Sequence, residues 1–311
     1  MTWLAVSSLV VASQLFGSSS AARAVTRPSD DSLRVRIERR IAEVPGAIVG
    51  VAYRDLSSGD SLDVLADERF HAASTMKVPV LIELFRRIDA GALNLDQGVL
   101  LVNEFASIVD GSHYSLDAGD DSDSSAYKAV GRRVTVRELI ERMITRSSNL
   151  ATNALIELVG AAHVDSTAHA LGAHSIQVRR GVEDGKAFQA GLNNTTTARD
   201  LAALMSAIEG GTAASRASCD AMRDILLRQE FNDEIPAGVP AGTRVAHKTG
   251  WITGVHHDAA IVYPRDRAPY VLVVLTRGIQ DDAVARALIS DVSRLVYAHA
   301  SAHMRLTTAG P

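Results

Sequence analysis

The sequence predicts an α+β protein: an antiparallel sheet flanked by helices and built from both ends of the chain, with an all-α domain inserted between. Three observations lead there. A buried-strand pattern, AIVGVAY at residues 47–53, stands near the N-terminus. Three more strand patterns, TRVAHKTGWI, HDAAIVYP and APYVLVVLTRG, follow one another after residue 243 with the spacing of an antiparallel meander. Between the two groups the chain reads mainly as amphipathic helices. The expected division is a sheet domain of residues 32–70 and 216–304 and an all-α domain of residues 71–215. At 311 residues, 47% hydrophobic and 22% charged, the chain can bury a large core and is not of disordered composition. A net charge of −4 supplies no general attraction to nucleic acid. No internal repeat is present.

Taken in order, residues 1–24 combine an apolar run from Trp3 to Phe16 with small residues ending in Ala22-Arg23-Ala24. That run is short for a membrane span and fits a signal peptide cleaved after Ala24, although Lys and Arg are missing ahead of the run. Leu33, Ile37, Ile41 and Val44 then form the stripe of a first helix, ended by Pro45-Gly46. The strand at 47–53 turns at SSGD, residues 57–60, toward a partner strand. From Ser74 the pattern is helical, with Val80, Leu81, Leu84, Phe85 and Ile88 on one face and Pro79 expected to kink it. Residues 110–131 are polar and Asp-rich and lack calcium-loop spacing, so they predict a solvated loop. Thr135 and Glu138 suit a capping box for the next helix, and another begins near Asn149, leaving Ser147-Ser148-Asn149 at a helix joint. Thr197 and Asp200 open a helix that buries Leu201, Leu204, Met205 and Ile208. A closing helix from about Asp281 carries Val284, Leu288, Ile289, Val292 and Leu295. Cys219 is the only cysteine, which excludes an intrachain disulfide.

Three short motifs carry chemistry. Ser74-x-x-Lys77 puts an amine on the same helix face as a hydroxyl, although the same residues alone fit an N-cap with a surface lysine. Ser147-Ser148-Asn149 alone fits capping residues, and Lys248-Thr249-Gly250 alone fits a protected edge strand. Their order, spacing and predicted secondary structure together are specific. On these motifs, and across residues 32 to 303, the chain resembles a class A serine β-lactamase of the penicillin-recognising serine hydrolases.

The resemblance implies a role for each residue. Ser74 would attack a lactam carbonyl to form an acyl-enzyme, with Lys77 helping to remove its proton. Ser147 would pass a proton to the departing nitrogen, and Asn149 would hold the substrate's side-chain amide. Lys248 and Thr249 would bind the substrate carboxylate, Gly250 would let substrate lie along the strand edge, and the backbone N–H groups of Ser74 and Trp251 would form an oxyanion hole.

The sequence departs from the family pattern in places. Ser148 replaces an aspartate of mainly structural role. Glu183 is the candidate base for deacylation, but Ala187 stands where an asparagine is usual, which leaves Asn193 or Asn194 to hold the water; otherwise Glu183 would pair with a loop arginine. His257, Asp258 or Arg286 would line the carboxylate pocket, since the usual arginine is missing. His71, His256 and His257 lack zinc-site spacing. The resemblance implies an exported, monomeric enzyme acting on a small β-lactam, with no cofactor, metal or nucleic-acid partner and no membrane insertion after processing. The alternative is a D,D-peptidase or esterase that deacylates slowly.

Overall fold

The computed structural model describes Met1 and residues 30–307; apart from Met1, the expected leader lies outside the described residues. In chain order the main elements are α1 (Asp30–Ala42), β1 (Ile48–Asp55), β2 (Ser61–Val64), α2 (Lys77–Asp89), α3 (Val136–Thr145) and α4 (Asn149–Val159). Then come α5 (Ala161–Ala170), α6 (Gly185–Gln189), α7 (Ala198–Gly210), α8 (Arg216–Leu226), β3 (Arg244–Ile252), β4 (Val255–Tyr263), β5 (Tyr270–Arg277) and α9 (Asp282–Thr307). The five strands form one antiparallel sheet in the order β2-β1-β5-β4-β3, so the first strand pairs directly with the last, Val51 opposite Val274.

The two-residue period of a strand decides what each face meets. Tyr270, Leu272 and Val274 of β5 join Leu33 and Ile37 of α1 and Leu288, Ile289 and Val292 of α9 in one core. Val271, Val273 and Leu275 face the other way, into a larger core shared with α2, α4, α7 and α8. Both faces of the central strands β1 and β5 are covered, which is why these two read as nearly continuous apolar runs. On α9 the buried stripe runs from Ala285 through Val296 to Ala300, whereas Val284 is exposed and Leu295 only partly buried.

Local chemistry corrects several expectations. Residues 73–76 form a 3-10 turn, and α2 begins at Lys77, with Met76 as N-cap and no side-chain cap. Ser74 is therefore no capping residue. Pro79 lies in the first turn of α2, where backbone N–H groups have no partner within the helix, so no kink is required. Only half of the box at α3 forms: Thr135 Oγ1 accepts the Glu138 N–H, but the Glu138 carboxylate turns to Arg142. The polar segment 110–131 is not wholly solvated, because Asp121 and Asp123 are buried and bonded.

Candidate active site

The nucleophile's turn is held from several sides. Ala73 adopts φ 44°, a left-handed conformation that costs energy in a residue other than glycine. Its N–H donates to His71 Nδ1 at 3.1 Å, and Ala72 N–H donates to Asn194 O. Edge strand β3 passes so close that a Cβ on Gly250 would lie 2.8 Å from Ser74 N and 2.9 Å from Thr75 N. Glycine is required there by contact. Ser74, Ser147, Asn149, Glu183 and Trp251 line one cleft of about 690 Å³.

Beneath the cleft the two lysines meet. Lys77 is fully buried, and its Nζ donates to Ser147 O (2.6 Å), Ser147 Oγ (3.1 Å) and Asn149 Oδ1 (2.9 Å). Lys248, also fully buried, donates to the same Ser147 Oγ at 3.1 Å and to Thr249 O. Ser147 therefore bridges the two lysine side chains, held by a left-handed backbone at φ 58°. Burial, and then the charge of Lys248, brings the Lys77 amine well below its ordinary pKa, against the opposing pull of Asp121 and Glu183. Burial brings Lys248 down to about 7, against Asp258 and Glu234. A buried amine that sheds its proton easily can act as a base near neutral pH.

Glu183 faces this pair. Its backbone is left-handed, φ 61°, and its Oε1 accepts from Asn149 Nδ2. Burial raises its carboxyl above the ordinary range, with the Asn149 bond working the other way. Among the described residues it has no arginine partner; the loop's Arg180 instead bonds Leu192 O, Gly181 O and Asn193 Oδ1. Asn194 is equally engaged, accepting the N–H groups of Arg179 and Arg180 and donating to Arg180 O. Asn194 is held through both ends of its amide and still borders the cleft, and Asn193 accepts from Arg180 through Oδ1. Ala187 is buried in α6, capped by Asp184.

These residues are gathered at and beneath one cleft. The model of the Beta-lactamase enzyme family matches residues 32–300. The chain belongs to this family. Its relatives include β-lactamase AST-1 of Nocardia asteroides, 32% identical over 88% of this chain and 87% of that one. A solved structure of PBP-A matches with a TM-score of 0.75 at 31% identity, covering 87% of this chain and 96% of the other. An ancestral class A β-lactamase matches with a TM-score of 0.73 at 28% identity, covering 86% and 99%. The fold is therefore that of the class A β-lactamases and PBP-A, mixed helix and antiparallel sheet as expected.

Within this family frame, two groups that sequence reasoning missed complete the site. Asp121 Oδ2 accepts the N–H groups of Asn149 (2.9 Å) and Leu150 (3.0 Å), supplying from a distant loop a carboxylate at the α4 N-terminus, where the motif itself has Ser148. Ser148 contributes only a hydroxyl, which accepts Ala151 N–H. Asn153, one turn beyond Asn149, clamps the loop before Glu183 through the N–H and carbonyl of Val182. Its i+4 spacing from Asn149 was a usable signal; that of Asp121 lay hidden among neighbouring aspartates.

The carboxylate-pocket candidates separate. His257 is sealed, its ring between His71 O and Thr276 N, and burial brings it down to about 4. Asp258 is sealed against His247 and Ile235 N–H. Arg286 alone of the three lines a cavity together with Thr249.

Proposed function

We propose that the protein hydrolyses β-lactam amides through an acyl-enzyme on Ser74. Family membership makes it a hydrolase of the β-lactamase kind, and the observation that carries the residue assignment is the convergence of two buried lysines on Ser147 Oγ beside Ser74. Lys77 takes the Ser74 proton, Ser74 Oγ bonds to the lactam carbonyl carbon, and the N–H groups of Ser74 and Trp251 receive the oxyanion. Ser147 passes its proton to the lactam nitrogen as the nitrogen's bond to carbon breaks, and Lys77 gives Ser147 the proton it took from Ser74. Ionised Glu183 then takes a proton from water, which attacks the ester carbon, and that proton returns to Ser74 Oγ as the ester bond breaks. Asn149 orients the acyl side chain, Lys248 and Thr249 hold the carboxylate, and Gly250 lets the substrate approach the strand.

The division into residues 32–70 with 216–304 and residues 71–215 belongs to the same proposal, with the site drawn from both units. So does export after removal of residues 1–24, with the mature protein acting as a monomer and without cofactor; among the described residues no helix is long and apolar enough to cross a membrane.

Slow deacylation, as in a D,D-peptidase, is the second reading, favoured because Ala187 has no polar side chain with which to hold the water beside Glu183. Turnover of a chromogenic cephalosporin by wild type, Ser74→Ala and Glu183→Ala decides between them. Sustained hydrolysis lost with Ser74, and trapped acyl-enzyme without Glu183, is expected; a single wild-type burst would replace lactamase with penicillin binding, and no acylation would refute both.

A further inference from the structure

His71 takes no part in the proposed chemical steps, yet its ring reaches the strained peptide that precedes the nucleophile. Its Nδ1 accepts the Ala73 N–H at 3.1 Å, closing the same short loop that an asparagine side chain closes in an Asx turn. The histidine is itself held in place. Residues 70–71 pair with residues 195–196, and His71 O accepts from Nε2 of the sealed His257 at 2.8 Å. The imidazole packs edge-on against Phe188 of α6, ring centroids 6.4 Å apart, and borders the cleft with Ser74. Ala73 holds φ 44°, a conformation that persists only where its surroundings enforce it. Its peptide leads directly to the Ser74 N–H, which β3 meets at Gly250. An imidazole nitrogen accepts only when it carries no proton, so this bond selects the Nε2–H tautomer of a neutral ring.

We propose that His71 is a positioning residue for acylation: its neutral ring holds the Ala73 peptide, and through it the Ser74 N–H that receives the oxyanion, and releases both on protonation. The part in acylation rests on the function proposed above; the hold on the turn does not. A protonated ring carries N–H at both nitrogens, so Nδ1 would face the Ala73 N–H donor to donor and the turn would lose its brace. Burial, and then the charge of Arg180, brings His71 below its ordinary pKa. The other charged or titratable groups about it are Arg69 on its own segment and His257 from β4. Asp120, Glu183 and Asp184 line the same cleft, with Lys77 and Lys248 beneath. The brace is therefore whole at neutral pH and fails as pH falls through a value under the ordinary histidine range. Lys77 also titrates, but a ratio of rates between proteins that differ only at residue 71 cancels its limb.

The test reads acylation by a chromogenic cephalosporin in stopped-flow traces, in Glu183→Gln protein so that Glu183 does not titrate. That parent is compared with His71→Asn and His71→Ala built upon it. Asparagine puts Oδ1 where Nδ1 stood and cannot be protonated there, so it should rescue acylation to within about threefold of the parent at about pH 7. His71→Ala should acylate at least about 30-fold more slowly. The ratio of the His71→Asn rate to the parent's should rise at least about threefold between about pH 7 and about pH 4.5. Equal rates in all three proteins, or a ratio flat with pH, would overturn the proposal. A second readout needs no change at residue 71 and no lactam. Nitrogen NMR of the parent should show the Nε2–H tautomer of His71 at neutral pH, and the protection of the Ala73 amide against exchange should fall as the ring titrates. An Nδ1–H tautomer refutes the brace even if the variants misfold. No acylation by the parent at any pH would sink the proposed function and with it the part of His71 in acylation, whereas acylation indifferent to residue 71 would sink this proposal alone.

Discussion

Asp121 illustrates how a single side chain is replaced by another from far away in sequence. Its carboxylate fixes the backbone of Asn149 and Leu150, and Asn149 in turn touches both Lys77 and Glu183. Asp121→Ala is expected to cost about 2 kcal/mol of stability, from a lost cap and buried N–H groups left unpaired, measured by denaturant unfolding. Its kcat should fall as well, and adding Ser148→Asp should restore part of both. Glu183→Gln should lower deacylation by about 100- to 10,000-fold while leaving the acylation burst intact in stopped-flow traces. As the base, Glu183 works ionised, so turnover should fall as pH drops through a limb above the ordinary carboxylate range. Because the Asn149 bond lowers the Glu183 pKa, Asn149→Ala should move that limb to still higher pH.

Among elements, the meeting of β3 with the turn at residues 73–76 decides whether the site exists. Gly250→Ala would drive a methyl group into Ser74 N, so acylation is expected to fall at least about 100-fold with the circular dichroism spectrum unchanged. Wild-type acylation in that variant would mean that the strand can retreat without consequence. The elements were largely legible beforehand because their signals are local: β1 and β5 show long apolar runs, and Thr197 caps α7 through the Asp200 N–H as its sequence predicts. The three motifs were legible because each sits within a few residues. The rest depends on tertiary contact. Asp121 at α4, His257 against His71 and the structural use of Asn194 join segments distant in sequence, and spacing cannot reveal them. Likewise the aspartates at 121 and 123 have loop composition, and only the arriving α3–α4 joint buries them.

On the scale of the whole molecule, Arg267 in the β4–β5 turn pairs with Asp55 at the end of β1, tying the sheet's central strands together. Burial alone would raise the Asp55 carboxyl, but the Ser57 hydroxyl, Arg267 and two backbone N–H groups outweigh it and hold it below the ordinary range. With a depressed native pKa, this contribution is complete above the unfolded value of about 4 and is lost as pH falls toward the native one. Arg267→Ala should therefore destabilise the protein by about 3 kcal/mol at neutral pH, since it strands a buried charge, and by less in strong acid. Equal losses at both pH values would show the pair to be packing rather than charge.

The sheet order has one more consequence, which concerns time. β1 is made early, yet it can complete its pairing only when β5 emerges near the end of the chain, and contacts of such long range form slowly. Helices α2 to α5 can collapse first, and Ser74 and Lys77 would then be in place without Lys248. Acylation thus becomes available only at the last step of assembly. A fluorescent penicillin added during refolding should mark only chains whose final strands have docked, so the rate of labelling would report the closing of the sheet.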